Sequence, residues 1–250
     1  MTAVTSLDDD VFVVRSPSDQ VEVYHAETFT WLRFIKVPGL RSPQGLAACA
    51  GYRCLYVSDT DDSVYRAELS DGNAVTKWSV AHDPSGLSVN RKHNLLVACC
   101  SGKMQEYNTH GTLVRDINLR IGILQTNACP WHAIQLSSGH YVVSHYAPSG
   151  EVNIFGVDGR EQDSSRRFVT MHCPRSLAVA KNDHILVADT NNDRILSMNS
   201  DLHFAKVLAL PVDDGIQLPW GLCLDESRGR LYVGEGGERN RVLVFDSVRM

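Results

Sequence analysis

An all-β ring of six four-stranded units, the last lacking its outer strand, is the architecture this sequence predicts. Three observations predict it. A four-residue phrase recurs five times: Pro43-Gln44-Gly45-Leu46, Pro84-Ser85-Gly86-Leu87, Pro130-Trp131-His132-Ala133, Pro174-Arg175-Ser176-Leu177 and Pro219-Trp220-Gly221-Leu222. Its prolines stand 41, 46, 44 and 45 residues apart. After each proline, 15 or 16 residues on, a β run ends at one marked position, held by Asp59, Cys99, His145, Asp189 and Glu235. A period in the low forties built from short strands is that of a β-propeller blade.

Each unit reads as four strands parted by turn residues. Unit 2 gives Gly45 to Cys49, Cys54 to Ser58, Val64 to Glu68 and Ala74 to Val80; Asp71-Gly72-Asn73 makes one of its turns. Unit 5 gives Leu177 to Ala180, His184 to Ala188, Arg194 to Met198 and Ala205 to Leu210. Unit 1 supplies Val11 to Arg15, Val21 to Tyr24 and Trp31 to Val37, with its first strand clipped by the chain start. Unit 6 has Leu222 to Leu224, Leu231 to Gly234 and Val242 to Phe245, with no fourth strand. The units run approximately 1–42, 43–83, 84–129, 130–173, 174–218 and 219–250, as one domain. No stretch of ten residues carries a helical period.

With 250 residues and 43% hydrophobic content the chain can bury a real core. A net charge of -5 argues against broad, charge-driven nucleic-acid binding. No apolar run approaches membrane-spanning length, and the first residues lack a basic and apolar leader, so the expectation is a cytoplasmic protein away from membranes. Seven cysteines without metal-binding spacing are expected as reduced, buried thiols.

Leu55-Tyr56-Val57-Ser58-Asp59-Thr60-Asp61-Asp62-Ser63-Val64-Tyr65-Arg66 and Ile185-Leu186-Val187-Ala188-Asp189-Thr190-Asn191-Asn192-Asp193-Arg194-Ile195-Leu196 resemble the core phrase of the NHL repeat, as does the run from Leu231 to Phe245. That resemblance implies a six-bladed propeller like the C-terminal domain of tripartite-motif proteins, where such domains bind protein or RNA. It implies that this chain is the recognition end of something longer. The same repeat occurs in a metal-dependent lyase and resembles six-bladed lactonases, and fold alone does not choose.

In a propeller the loops before each first strand and after each second strand share a face. Residues there are the candidates for chemistry. Trp131, Arg175 and Trp220 occupy one equivalent position in three successive units, and two rings flanking a guanidinium suit an anionic or aromatic ligand or a peptide side chain. The structural alternative packs the tryptophans between blades and pairs Arg175 with a carboxylate. His132, His172 and Glu235 are expected to add polar contacts. His132, His145 and His172, with His82 as a fourth candidate, are also a conceivable zinc set, which a lyase would need. Asp189 to Asp193 has the alternate oxygens of a calcium loop but neither its glycine nor its bidentate glutamate, so a turn explains it better. Arg166-Arg167, Arg228 with Arg230, and Arg239 with Arg241 carry an RNA-binding alternative, against interleaved acids. The reading that results is a non-catalytic module, without cofactor, recognising a protein, peptide or small ligand at the pore rim. RNA recognition and a metal-dependent enzyme are the alternatives.

Overall fold

β-Branched and aromatic runs broken by Gly, Asn and Asp favour strands and turns over helices. In the computed structural model, which describes residues 2–250 except 71, 122–125, 128, 147–149, 166–167, 204, 209–214, 247 and 249–250, the helical content among the described residues is limited to 3-10 conformation, at Ser165 and in the turn Thr190–Asn192. The strands form six antiparallel blades, each ordered as the chain runs from the central axis outward. Blade 1 is Thr2–Leu7, Asp10–Arg15, Gln20–His25 and Trp31–Lys36. Blade 2 is Pro43–Cys49, Cys54–Asp59, Ser63–Glu68 and Val75–Ser79, and blade 3 Pro84–Val89, Leu95–Cys99, Lys103–Tyr107 and Leu113–Asn118. Blade 4 is Pro130–Gln135, Tyr141–His145, Glu151–Phe155 and Glu161–Ser164, and blade 5 Pro174–Val179, Ile185–Asp189, Arg194–Met198 and Ala205–Val207. Blade 6 has three strands, Pro219–Asp225, Arg230–Glu235 and Val242–Phe245. The expected six blades with a short last one are therefore present. Two details differ from expectation. The inner strand of blade 1 is not clipped but pairs over six residues, Thr2 to Leu7. A small ribbon, Arg120–Ile121 with Thr126–Asn127, lies in the connection between blades 3 and 4.

The recurring phrase has a mechanical meaning. Each proline opens an inner strand, where its missing N–H costs no ladder bond, and each pairs with the marked residue: Pro43 with Asp59, Pro84 with Cys99, Pro130 with His145, Pro174 with Asp189 and Pro219 with Glu235. Immediately after it the register shifts in all five blades. A bulge re-aims the extra side chain. Here the residue after the proline, Gln44, Ser85, Trp131, Arg175 or Trp220, lines the central cavity.

The next position sets how closely neighbouring blades approach. A Cβ on Gly45 would lie 2.5 Å from the Ser85 carbonyl oxygen, and one on Gly86 would run into the Trp131 carbonyl. Where this position carries a side chain, that side chain makes the joint. His132 Nδ1 accepts the Leu177 N–H at 3.0 Å, and Ser176 Oγ accepts the Leu222 N–H at 3.0 Å. Hydroxyls at the ends of second strands add to it: Ser58 donates to the Ser85 carbonyl at 2.7 Å and Ser144 to that of Arg175 at 2.6 Å.

Apolar residues fill the wedges between blades, one buried cluster to each of the six interfaces. The interface that closes the ring, blade 6 on blade 1, packs Tyr232 against Val4, Val11 and Val13. Arginines reinforce it. Arg228 pairs with Asp9, Glu27 and its own blade's Asp225, while Arg230 pairs with Glu27 and Asp246 and donates to the Ala26 carbonyl at 2.7 Å. Hydrogen bonds from Arg228 and then Arg230 hold Glu27 below the usual carboxylate range. These two arginines, counted toward an RNA surface from sequence, are engaged in ring closure. Arg166-Arg167 lie outside the described residues.

The close approach predicts an outcome. Gly45→Ala should lower stability by about 1–3 kcal/mol, since the obstacle is backbone that must move. The shift of the denaturant midpoint measures it; an unchanged midpoint would mean that the blades are not in contact there.

Candidate functional site

The six inner strands surround a cavity of about 450 Å³. One end of it is shaped by the bulge residues, and they are unequal. Blade 1 lines the cavity with Ala3, Val4 and Thr5, while blades 2 and 3 contribute Gln44 and Ser85. Blades 4, 5 and 6 contribute Trp131, Arg175 and Trp220. The mouth is thus crowded on one side and lightly furnished on the other.

On the crowded side the three residues singled out from sequence come together. The Arg175 guanidinium carbon lies 4.0 Å from the centre of the Trp131 ring and 3.5 Å from that of Trp220. Each contact is worth about 0.5–2 kcal/mol, more where water is excluded. The carboxylate partner that the structural alternative required is absent: among the described residues Arg175 makes no ion pair, and its Nε and Nη1 are buried with no acceptor. Burial pushes its pKa down, partly offset by nearby Cys173. The indole N–H of Trp131 is likewise buried without an acceptor. The stack therefore holds a cation stripped of much of its water, against two ring faces and beside Cys173.

The other expected contacts fall elsewhere. His132 lines the cavity below the stack, but both ring nitrogens are used: Nδ1 takes the Leu177 N–H, so Nε2 carries the proton donated to the Leu87 carbonyl at 2.8 Å. Burial pushes its pKa down, so the ring is a neutral bridge across blades 3, 4 and 5. His172 is exposed on the rim, and its backbone N–H donates to Asp189 at 2.7 Å. Glu235 does not reach the mouth. Fully buried, it accepts the Gln217 N–H at 2.7 Å and pairs with Arg241 at 2.6 Å.

Glu235 shares this task with the other acids at the marked position. Asp59 accepts the N–H groups of Arg41 and Ser42 at 2.8 and 2.9 Å; Asp189 accepts from His172, Asn192 and Arg194. Each carboxylate pins the loop that leads into its own blade's inner strand, and so fixes where the bulge begins. The calcium-like spacing at Asp189 is explained by this clamp and by Asp193 at φ 50° closing the turn. Of the proposed zinc histidines, His145 is buried with Nε2 on Asn153 at 2.8 Å, and His132 and His172 are placed as above. Among the described residues no three His, Cys, Asp or Glu are grouped to hold a metal ion.

The cysteine expectation needs correction. Cys100 and Cys129 form a disulfide that ties the turn after the second strand of blade 3 to the loop entering blade 4, two residues before Trp131. The remaining five are free, and four of them are buried. Spacing gave no sign of the bond, because its partners are 29 residues apart and only blade stacking brings them together.

Comparison with known proteins agrees with the fold. Residues 171–196 and 217–245 match the NHL repeat, covering three strands each of blades 5 and 6. No curated protein matches the chain. Among solved structures, a chain of Kuenenia stuttgartiensis hydrazine synthase is similar with a TM-score of 0.69 and 19% identity, over 98% of this chain and 76% of that one. A Bacteroides caccae protein of unknown function gives 0.72 and 18%, over 95% and 89%. A chain of a nidogen/laminin complex gives 0.74 and 16%, over 92% and 87%. At these identities the likeness is one of fold, and it is found in both an enzyme and a binding complex. The chain is a six-bladed β-propeller in which segments of blades 5 and 6 match the NHL repeat.

Two outcomes follow from the site. A folded-state pKa below that of the unfolded imidazole, about 6.5, means that His132 contributes its full stability above that pH. Below it the unfolded chain takes a proton that the folded one refuses, so stability drains away as pH falls towards the folded pKa. The melting temperature should drop between pH 7 and pH 5, and the drop should shrink in His132→Gln; equal slopes in both proteins would refute the neutral bridge. Thiol titration of the denatured, unreduced chain should count five groups and rise to seven after reduction.

Proposed function

We propose that this propeller is a non-catalytic recognition module that takes a protein or peptide ligand at the channel mouth of blades 4 to 6. The observation that carries this reading is the Trp131–Arg175–Trp220 stack. Tryptophan and arginine are the side chains most often found at the energetic centre of interfaces, because each offers a large contact area with a polar handle. Here they are assembled by equivalent bulges on three rigid inner strands, across from the smaller Gln44 and Ser85 of blades 2 and 3. His172, exposed on the adjoining rim, is available for a further polar contact. The NHL repeat supports the same reading, and its resemblance to tripartite-motif proteins supports a place at the C-terminal end of a longer cytoplasmic protein. The Cys100–Cys129 bond weighs towards an oxidising compartment instead, and the thiol count on freshly isolated protein bears on that choice.

Random peptides displayed on phage, selected on the whole chain and then measured singly, provide the test. Trp220→Ala and Arg175→Ala should each weaken the selected peptides by about 30-fold or more, the loss typical of an interface centre. Peptides that bind both folded variants as well as the parent would place recognition elsewhere on the surface.

A further inference from the structure

The chain carries 24 basic and 29 acidic side chains, yet the lining of its channel is basic: Arg91, Arg175 and Lys181 against the single carboxylate of Glu226. At the end away from the stack, these charges are partly balanced. Arg91 pairs with Asp183 at 3.3 Å, and the Glu226 carboxylate lies beside Lys181, accepting its backbone N–H at 3.1 Å. Arg175 has no such balance among the described residues. The faces of both indole rings lie against the guanidinium. Nε and Nη1 are shut away without acceptors, and Arg175 lines the cavity. A guanidinium stacked on aromatic rings can still be approached in its own plane, where its N–H groups point.

We infer that the channel mouth binds a carboxylate, which meets the Arg175 guanidinium edge-on from the open side beside Gln44 and Ser85. This rests on the recognition reading above and names the chemistry of its ligand. Several observations favour a carboxylate over a phosphate. Phosphate sites gather several donors or a helix N-terminus around a doubly charged, tetrahedral group. Here the neighbouring neutral donors are few: the Ser85 hydroxyl faces the Ala98, Pro130 and Trp131 carbonyls, and the Gln44 amide holds the Ser42 carbonyl at 3.4 Å with one of its two N–H groups. The His132 ring, neutral and bonded at both nitrogens, adds no charge. What remains is one cation presenting one edge, which suits a planar monoanion. The carboxylate can belong to an aspartate or glutamate side chain of a bound peptide or to a free small acid.

Titration of the whole chain separates these cases, with the fluorescence of the flanking Trp131 and Trp220 as readout. The probes are butyrate, its neutral analogue butyramide, inorganic phosphate, and the blocked peptides acetyl-Gly-Glu-Gly-amide and acetyl-Gly-Gln-Gly-amide. The inference expects saturable binding of butyrate or the Glu peptide, with the matching amide at least tenfold weaker. Arg175→Gln should erase that difference and Arg175→Lys should keep part of it. Response to the Glu peptide but not butyrate would identify a side-chain ligand; the reverse, a small acid. Equal binding of acid and amide, tighter binding of phosphate, no saturation with any probe, or full discrimination in a folded Arg175→Gln chain would each overturn the inference. The acid–amide comparison uses the unaltered protein, so a variant that fails to fold does not spoil it. The two proposals also fail separately. Selected peptides that depend on Trp131 and Trp220, together with equal binding of acid and amide, would leave the recognition reading and remove this one. Butyrate binding at Arg175 without any stack-dependent peptide would do the opposite.

Discussion

Six inner strands can enclose a narrow channel only if each lies almost against the next, and the position two residues after the blade-opening proline governs that approach. Glycine at 45 and 86 lets a neighbouring carbonyl come within a distance that no Cβ allows. His132 and Ser176 solve the same problem differently, reaching across to accept a backbone N–H of the following blade. The choice has a consequence for pH. A glycine joint is indifferent to protons, whereas the His132 joint works only with a neutral ring. Blades 4 and 5, which carry two thirds of the stack, are therefore also joined by a titratable contact. The bulge that turns the preceding residue into the channel exists because the proline and the marked residue are locked together on one side of it and the blade joint on the other.

Within that frame the electrostatics of the mouth are unusual for a cation. A buried guanidinium normally has a carboxylate beside it, because losing water costs more than ring faces return. The acids nearest in the repeat, Asp189 and Glu235, are not free to serve: each is saturated by loop N–H groups and by an arginine of the next turn, Arg194 or Arg241. The clamp that positions the inner strand thus consumes the charge that would otherwise neutralise Arg175. Positioning and unsatisfied charge share one cause.

Much of the fold was legible because its signals are local. Proline at a strand start, a β run of fixed length and a turn recur often enough to count blades, and even the missing outer strand of blade 6 could be read. The stack was legible for the same reason: Trp131, Arg175 and Trp220 hold equivalent places in a repeat, so a closed ring must bring them together. What could not be read depends on which atoms face one another. Glu235 and His132 occupy positions that the repeat places near the channel, but a carboxylate surrounded by N–H groups turns to them, and an imidazole between two backbone groups bonds both. The Cys100–Cys129 bond and the ring-closing pairs of Arg228 and Arg230 join residues brought near by stacking of neighbouring blades or by closure of the ring, contacts that periodicity along the chain does not encode.

A ring of identical blades would give six identical groups at its mouth and no preferred side. Asymmetry is what makes a site here, and it comes from a departure from the repeat at one position. Blades 4 to 6 carry the bulkiest bulge residues, and blades 2 and 3 carry the smaller Gln44 and Ser85. That difference lines one wall of the mouth with a cation and two rings and leaves space before it. Neither half alone would do: space without the stack has nothing to hold a ligand, and a stack repeated around all six blades would fill the channel. The blades nearest the repeat consensus, 2 and 5, are told apart at this position only by glutamine against arginine, and that single difference decides which side of the mouth is charged.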